Sequence, residues 1–165
     1  MMQNVAVFFG GKSAEREISV LAGVLARRMI DAAKYRAVPV YIHSDGKFYT
    51  FPEAFSLDVF KAQPFPLHKF SRCYFQRGEL LIVPPKKHRV KTRVQIPVAI
   101  NCCHGGAGEN GGVSALCELY GIPSASPSVA ACAVAMDKEL TKFFMHSAGV
   151  PVLPCAAVHR KSYVR

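Results

Sequence analysis

Val98-Ala99-Ile100-Asn101-Cys102-Cys103-His104-Gly105-Gly106-Ala107-Gly108-Glu109-Asn110-Gly111, continuing through Gly112 into Val113 to Tyr120, is the stretch that decides the fold. An apolar, partly β-branched run, then glycines, then an apolar-periodic segment spells strand, loop and helix. Five glycines between positions 105 and 112 permit positive φ and let a ligand approach the main chain closely. Such a loop also presents amide N–H groups at a helix start, where negative charge is favoured. Taken alone, it is a glycine-rich turn with a satisfied histidine. The rest of the chain makes it a site.

Two common phosphate-loop readings fail on position. Gly106, Gly108 and Gly111 form G-x-G-x-x-G, but the dinucleotide fingerprint expects an acidic residue about 20 positions later at a strand end. Here that distance falls in Ala130-Ala131-Cys132, inside an expected helix, and Glu109 would set a carboxylate beside the pyrophosphate. Gly11-Lys12-Ser13 ends like a Walker loop, but the pattern needs glycine at position 6, which is Ala6 in an apolar strand.

The length of 165 residues suits one good core, or one domain and part of another. With 50% hydrophobic and 19% charged residues the composition is globular. No apolar run approaches the roughly 18 residues of a membrane span, and Met1-Met2-Gln3-Asn4 lacks the basic start of a signal peptide. A cytoplasmic location is expected. The six cysteines (73, 102, 103, 117, 132, 155) form no C-x-x-C pair, so reduced, mostly buried thiols are expected, with no metal site. The net charge of +10 is concentrated between Lys69 and Arg93, where eight basic residues face one acidic residue, Glu79. That segment is expected to be a solvated hairpin about Pro84-Pro85. The competing reading is a nucleic-acid footprint, and no nucleic-acid motif accompanies it.

Val5 to Phe9 is expected to be a buried strand running into Gly10-Gly11-Lys12-Ser13. Ser13 or Ser19 would cap the next helix, in which Ile18, Leu21, Ala22, Leu25 and Met29 recur at helical spacing. Glu17 is an ordinary first-turn acid. Glu15, directly after a glycine loop at a strand end, lies where open α/β sheets place ligands, and a carboxylate there suits a cationic amine. Ala37 to Ile42 is a second strand, and Ser44-Asp45-Gly46 turns into Lys47 to Thr50. Residues 51–78 show no period. Glu79 to Val83 and Arg89 to Val94 form a hairpin, and Ile96 to Cys102 returns to the core. Beyond the glycine loop, Gly121 stops a helix and Ile122-Pro123 begins an extended link. Ser128 caps Val129 to Met136, and Asp137 caps Lys138 to Ala148, which stops at Gly149. Lys138 and Lys142 share one helix face near its start, against the dipole, which a phosphate ligand would explain. Strands alternating with a long helix argue for a three-layered, mainly parallel α/β sheet.

Gly10-Gly11-Lys12-Ser13-Ala14-Glu15-Arg16-Glu17-Ile18-Ser19, the His104 to Gly111 loop, Gly121-Ile122-Pro123, Met136-Asp137-Lys138 with Thr141-Lys142, and Gly149-Val150-Pro151 occur in an order and spacing that resemble the N-terminal part of the D-alanine-D-alanine ligases. The resemblance is strong at the two ends of the chain and weak over residues 51–95. It implies a Rossmann-like, pre-ATP-grasp substrate-binding domain over residues 1–121 and the start of a truncated ATP-grasp domain over 122–165. It also implies ATP-dependent joining of two D-alanines through an acyl phosphate, for peptidoglycan synthesis. Glu15 and His104 would then be the catalytic residues, Glu15 holding the ammonium of the first D-alanine, with His104, Ser19 and Gly105 at the same substrate. Lys138 would contact the phosphates of ATP, and the magnesium ligands would lie beyond residue 165. Such ligases are commonly homodimers. After Ile122-Pro123 the family often has a tyrosine and two glycines, where this chain has Ser124, Ser126 and Ser128.

By this reading the 165-residue chain folds but does not catalyse alone. A D-alanyl ester or D-alanyl-D-serine product stays open. From other classes, so do a non-catalytic D-amino-acid-binding module and, ranked lower, a basic nucleic-acid-binding domain.

Overall fold

The structure, a computed structural model, describes residues 2–158. Strand β1 (Gln3–Gly10) is the centre of the fold because its apolar run is buried on both faces. Ala6 and Phe8 enter one core with Val38, Val40, Phe75 and Val113. Val7 and Phe9 enter the other with Val20, Tyr41 and Tyr49. Helix α1 (Arg16–Met29) covers the second face and α3 (Gly112–Leu119) the first, which gives the expected three layers.

The sheet is mixed, correcting the expectation of a mainly parallel one. Its order is β6-β5-β4-β3-β2-β1-β7, with β2 (Tyr35–Ile42), β3 (Phe48–Thr50), β4 (Ser71–Gln76), β5 (Glu79–Val83), β6 (Thr92–Gln95) and β7 (Val98–Asn101). β1 runs parallel to β2 and to β7, whereas β2-β3, β3-β4, β4-β5 and β5-β6 are antiparallel. For β2-β3 and β4-β5 the cause is connection length. A long helix joins β1 to β2, but β2 reaches β3 through a five-residue turn, 43–47, and β4 reaches β5 through Arg77-Gly78, both at positive φ. Tight turns of this kind join antiparallel neighbours, and parallel ones need a crossover.

Residues 51–78 showed no period because they are a succession of short pieces: 3-10 turns at Pro52–Phe55 and Leu67–Lys69, helix α2 (Leu57–Lys61) and β4. Their aromatic rings roof the second core, with Phe9–Phe55 ring centroids 5.8 Å apart, Tyr41–Phe60 5.1 Å and Phe51–Phe70 4.8 Å. The hairpin beyond Glu79 exists, with its second strand at Thr92–Gln95 in place of 89–94. The link after Gly121 lies along β7, bridging Ala99 to Ser124, and so covers that sheet edge.

Helix α1 occupies its expected position, but its inward face is Ser19, Val20, Gly23 and Val24. Ile18, Leu21, Leu25 and Met29, the residues at helical spacing, are 48–77% exposed. Close approach to the sheet explains the choice of small residues: a Cβ on Gly23 would sit 2.6 Å from the Phe9 ring. Helices α4 (Val129–Met136) and α5 (Lys138–Ser147) pack on each other, capped as expected by Ser128 and Asp137 side chains. Neither contains a buried residue.

Candidate functional site

The loops after β1 and β7 leave adjacent parallel strands and lead to helices on opposite faces of the sheet, α1 and α3. This is a topological switch point, where the chain itself opens a crevice at the strands' carboxyl ends. The two glycine loops singled out in the sequence, Gly10–Glu15 and His104–Gly111, meet there.

Hydrogen bonds tie the loops together. Ser13 Oγ donates to the His104 carbonyl at 2.6 Å and accepts from the Glu15 N–H at 3.2 Å. Ser19, fully buried, accepts from Gly10 N–H at 2.7 Å and donates to the Cys102 carbonyl at 2.9 Å. Both capacities of each hydroxyl are thus engaged within the protein. Neither serine caps α1: Glu15 occupies the N-cap position and makes no side-chain cap bond. Within the second loop, Asn101 Nδ2 donates to the Gly108 carbonyl at 2.7 Å, and Glu109 Oε2 accepts from Gly105 N–H at 2.8 Å.

Glu15 is exposed, and among the described residues its carboxylate takes part in no salt bridge or hydrogen bond. It stands beside Gly105, whose φ is +72°, a conformation that favours glycine. A Cβ at Gly105 would lie 3.3 Å from Glu15 Oε2 and 3.1 Å from Ser13 Cβ. Gly105 therefore contributes room more than a free amide, since its N–H is already held by Glu109. His104 is half-buried, and its carbonyl belongs to the loop clamp. A hollow of about 250 Å³ adjoins this junction, lined in part by Gly11, Lys12, His43, Gly105, Ala107 and Gly108. A larger one, about 510 Å³, lies between α1 and the aromatic roof, and neither hollow is lined by Glu15 or His104.

Lys138 is not brought to this junction by any hydrogen bond or ion pair among the described residues. It opens α5, on the α4–α5 pair. Lys142, on the same helix, donates to the Leu153 carbonyl at 3.2 Å, a structural use for one of the two lysines. Burial pushes the Cys103 thiol up to about 12 and raises Cys102 as well, so the cysteines before His104 are poor nucleophiles and poor metal ligands. Among the described residues no group of three or more His, Cys, Asp or Glu could hold a metal ion.

Ser13, Asn101 and Glu109 are the functional neighbours that sequence reasoning missed. The signal existed for two of them: Ser13 lies two residues before Glu15, the spacing of a serine turn, and Glu109 lies four after the glycine whose amide it holds. The Ser13–His104 contact joins positions 91 apart and leaves no local trace.

An α/β domain with a two-loop crevice at a switch point is a small-ligand-binding architecture. Comparison with known proteins is specific about which one: residues 4–127 match the family described as D-ala D-ala ligase N-terminus, and the chain belongs to that family. It is 34% identical over 164 residues to a D-alanine--D-alanine ligase of Sodalis glossinidius, covering 96% of this chain and 44% of that protein. It is 29% identical over 163 residues to one of Clostridium novyi, covering 99% and 44%. The solved D-alanine-D-alanine ligase of Coxiella burnetii superposes with a TM-score of 0.77 at 27% identity, covering 93% of this chain and 43% of that one. The chain thus spans less than half the length of the relatives it matches.

Proposed function

We propose that this chain carries the site for the first D-alanine of an ATP-dependent D-alanine-D-alanine ligase. The observation that carries it is the unpaired Glu15 carboxylate at the junction of two glycine loops, in a family whose named members are such ligases. A zwitterionic amino acid asks for one carboxylate against its ammonium. Glu15 supplies it, and pairing the ammonium there leaves the substrate's own carboxylate as the reacting end. His104 lies beside that substrate, and Ser13 and Ser19 position the loops that present Glu15 and Gly105. Lys138 meets phosphates of ATP, for which a compact ammonium at a helix start is suited.

In the reaction, the substrate carboxylate oxygen takes the γ-phosphoryl group of ATP, releasing ADP. The amine of a second D-alanine then attacks the acyl carbon; the C–N bond forms, phosphate leaves with the C–O bond's electrons, and the amine proton is lost. No step here is assigned to magnesium. The setting is peptidoglycan synthesis in the cytoplasm, by a homodimer. Among the described residues no helix is long and apolar enough to cross a membrane.

Calorimetry with D-alanine and L-alanine tests the reading. An exposed ion pair is worth only about 0–1 kcal/mol, so binding to this chain is expected to be weak, about millimolar, selective for the D form and weakened up to about fivefold in Glu15→Gln. Equal binding of both enantiomers, or unchanged binding in Glu15→Gln, would contradict it.

A further inference from the structure

The basic segment between Lys69 and Arg93 is left over by this function, and the structure divides it. Arg93 pairs with Glu79 at 3.1 Å, and Arg77 borders a shallow hollow with Leu119 and Tyr120. Arg72, Lys86, Lys87 and His88 instead surround one concavity of about 480 Å³, together with Phe70, Tyr74, Pro84 and Pro85. No carboxylate lines it.

Its construction follows from strand alternation. Cys73 and Phe75 of β4 point into the core, so Arg72 and Tyr74 share the opposite face, with the guanidinium 5.1 Å from the Tyr74 ring centroid. The loop after β5 is folded back over that face by Lys87 N–H to the Pro84 carbonyl, 3.1 Å, and Lys91 N–H to the Ile82 carbonyl, 3.0 Å. Lys86 takes a φ of +60° within it. Arg72 Nε is shut off from solvent and bonded to no acceptor, and among the described residues the guanidinium forms no ion pair. Arg72 also lines the hollow, so the charge of its guanidinium is open there to a partner that the protein itself does not supply.

We propose that this concavity binds a phosphate-bearing small molecule, with Arg72, Lys86 and Lys87 on the phosphate and the Phe70, Tyr74, Pro84 and Pro85 surfaces against its organic part. A planar guanidinium and two ammonium groups around one hollow match a phosphate's multiple charges and oxygens. The volume lies within the roughly 300–1,000 Å³ of ligand pockets. An extended polyanion is the poorer fit, because Arg72, Lys86 and Lys87 gather at one depression while Arg93 is paired with Glu79 and Arg77 borders a separate hollow. The site is separate from the Glu15 junction and does not depend on the function proposed for it.

The test is a titration of the 165-residue chain with sodium pyrophosphate and with AMP, followed by calorimetry and by the Arg72 Nε–Hε signal in ¹H–¹⁵N spectra. Saturable binding that moves the Arg72 signal is expected, weakened about tenfold or more by Arg72→Gln and by the loop variant Lys86→Gln/Lys87→Gln. Arg93→Gln, which removes the same single charge as Arg72→Gln but outside the hollow, should leave it unchanged. The loop variant carries the test if Arg72→Gln fails to fold. The proposal is overturned if neither ligand saturates, or if Arg93→Gln weakens binding as much as the loop variant. It is also overturned if a short DNA duplex alone binds, with steep salt dependence.

Discussion

Glu15 is worth most as a residue that the fold leaves free. Because it neither caps α1 nor pairs with a cation, Glu15→Gln should change folding stability by no more than about 0.5 kcal/mol while weakening D-alanine binding up to about fivefold; urea denaturation beside the binding assay checks both halves. Ser19 behaves in the opposite way. Ser19→Ala orphans the Gly10 amide and the Cys102 carbonyl, and should cost about 1–3 kcal/mol in the same denaturation experiment. The buried thiols give a pH test. Burial pushes Cys73 and Cys103 from 9.0 up to about 12, so between those values the folded state holds protons that the unfolded state has lost. Stability should therefore fall as pH rises above about 9, by at most roughly 1.4 kcal/mol per pH unit for each thiol. Urea midpoints across that range should show a shallower slope in Cys73→Ala.

Among the elements, α1 shows where sequence patterns mislead. Its helical spacing was legible, but hydropathy pointed to Ile18, Leu21, Leu25 and Met29, whereas the inward face is set by how near the helix comes to β1. Gly23→Ala tests that closeness: the new methyl would meet Phe9 at 2.6 Å, and a loss of about 1–3 kcal/mol is expected in the melting curve. The strands β1 and β2, the glycine loops and the capped helices were readable because each has a local signature of period, glycine or cap. β4 was not, since its alternation is short and follows a run of 3-10 turns. Without β4 in place the antiparallel half of the sheet had no partner strand, and parallel pairing looked general.

At the scale of the molecule, the site's residue types were legible and its assembly was not. Glu15, His104 and Gly105 stood out by motif, but the bonds from Ser13 and Ser19 that bring their loops together span 91 and 83 positions. The helical pair α4–α5 presents Leu140, Phe143 and Phe144 at 45–65% exposure, and nothing among the described residues covers them. Self-association through this surface is expected at high concentration, and sedimentation analysis should show it reduced in Phe143→Glu. Since it spans less than half the length of the ligases it matches, the 165-residue chain incubated with ATP, magnesium and D-alanine should form no dipeptide. That the loops after β1 and β7 form a D-alanine site is tested most directly by a residue-resolved ¹H–¹⁵N titration with D-alanine. Saturable shifts confined to residues 10–19 and 104–111, with a weaker apparent affinity in Glu15→Gln, are expected; shifts centred elsewhere, or none in those two loops, would contradict a D-alanine site there.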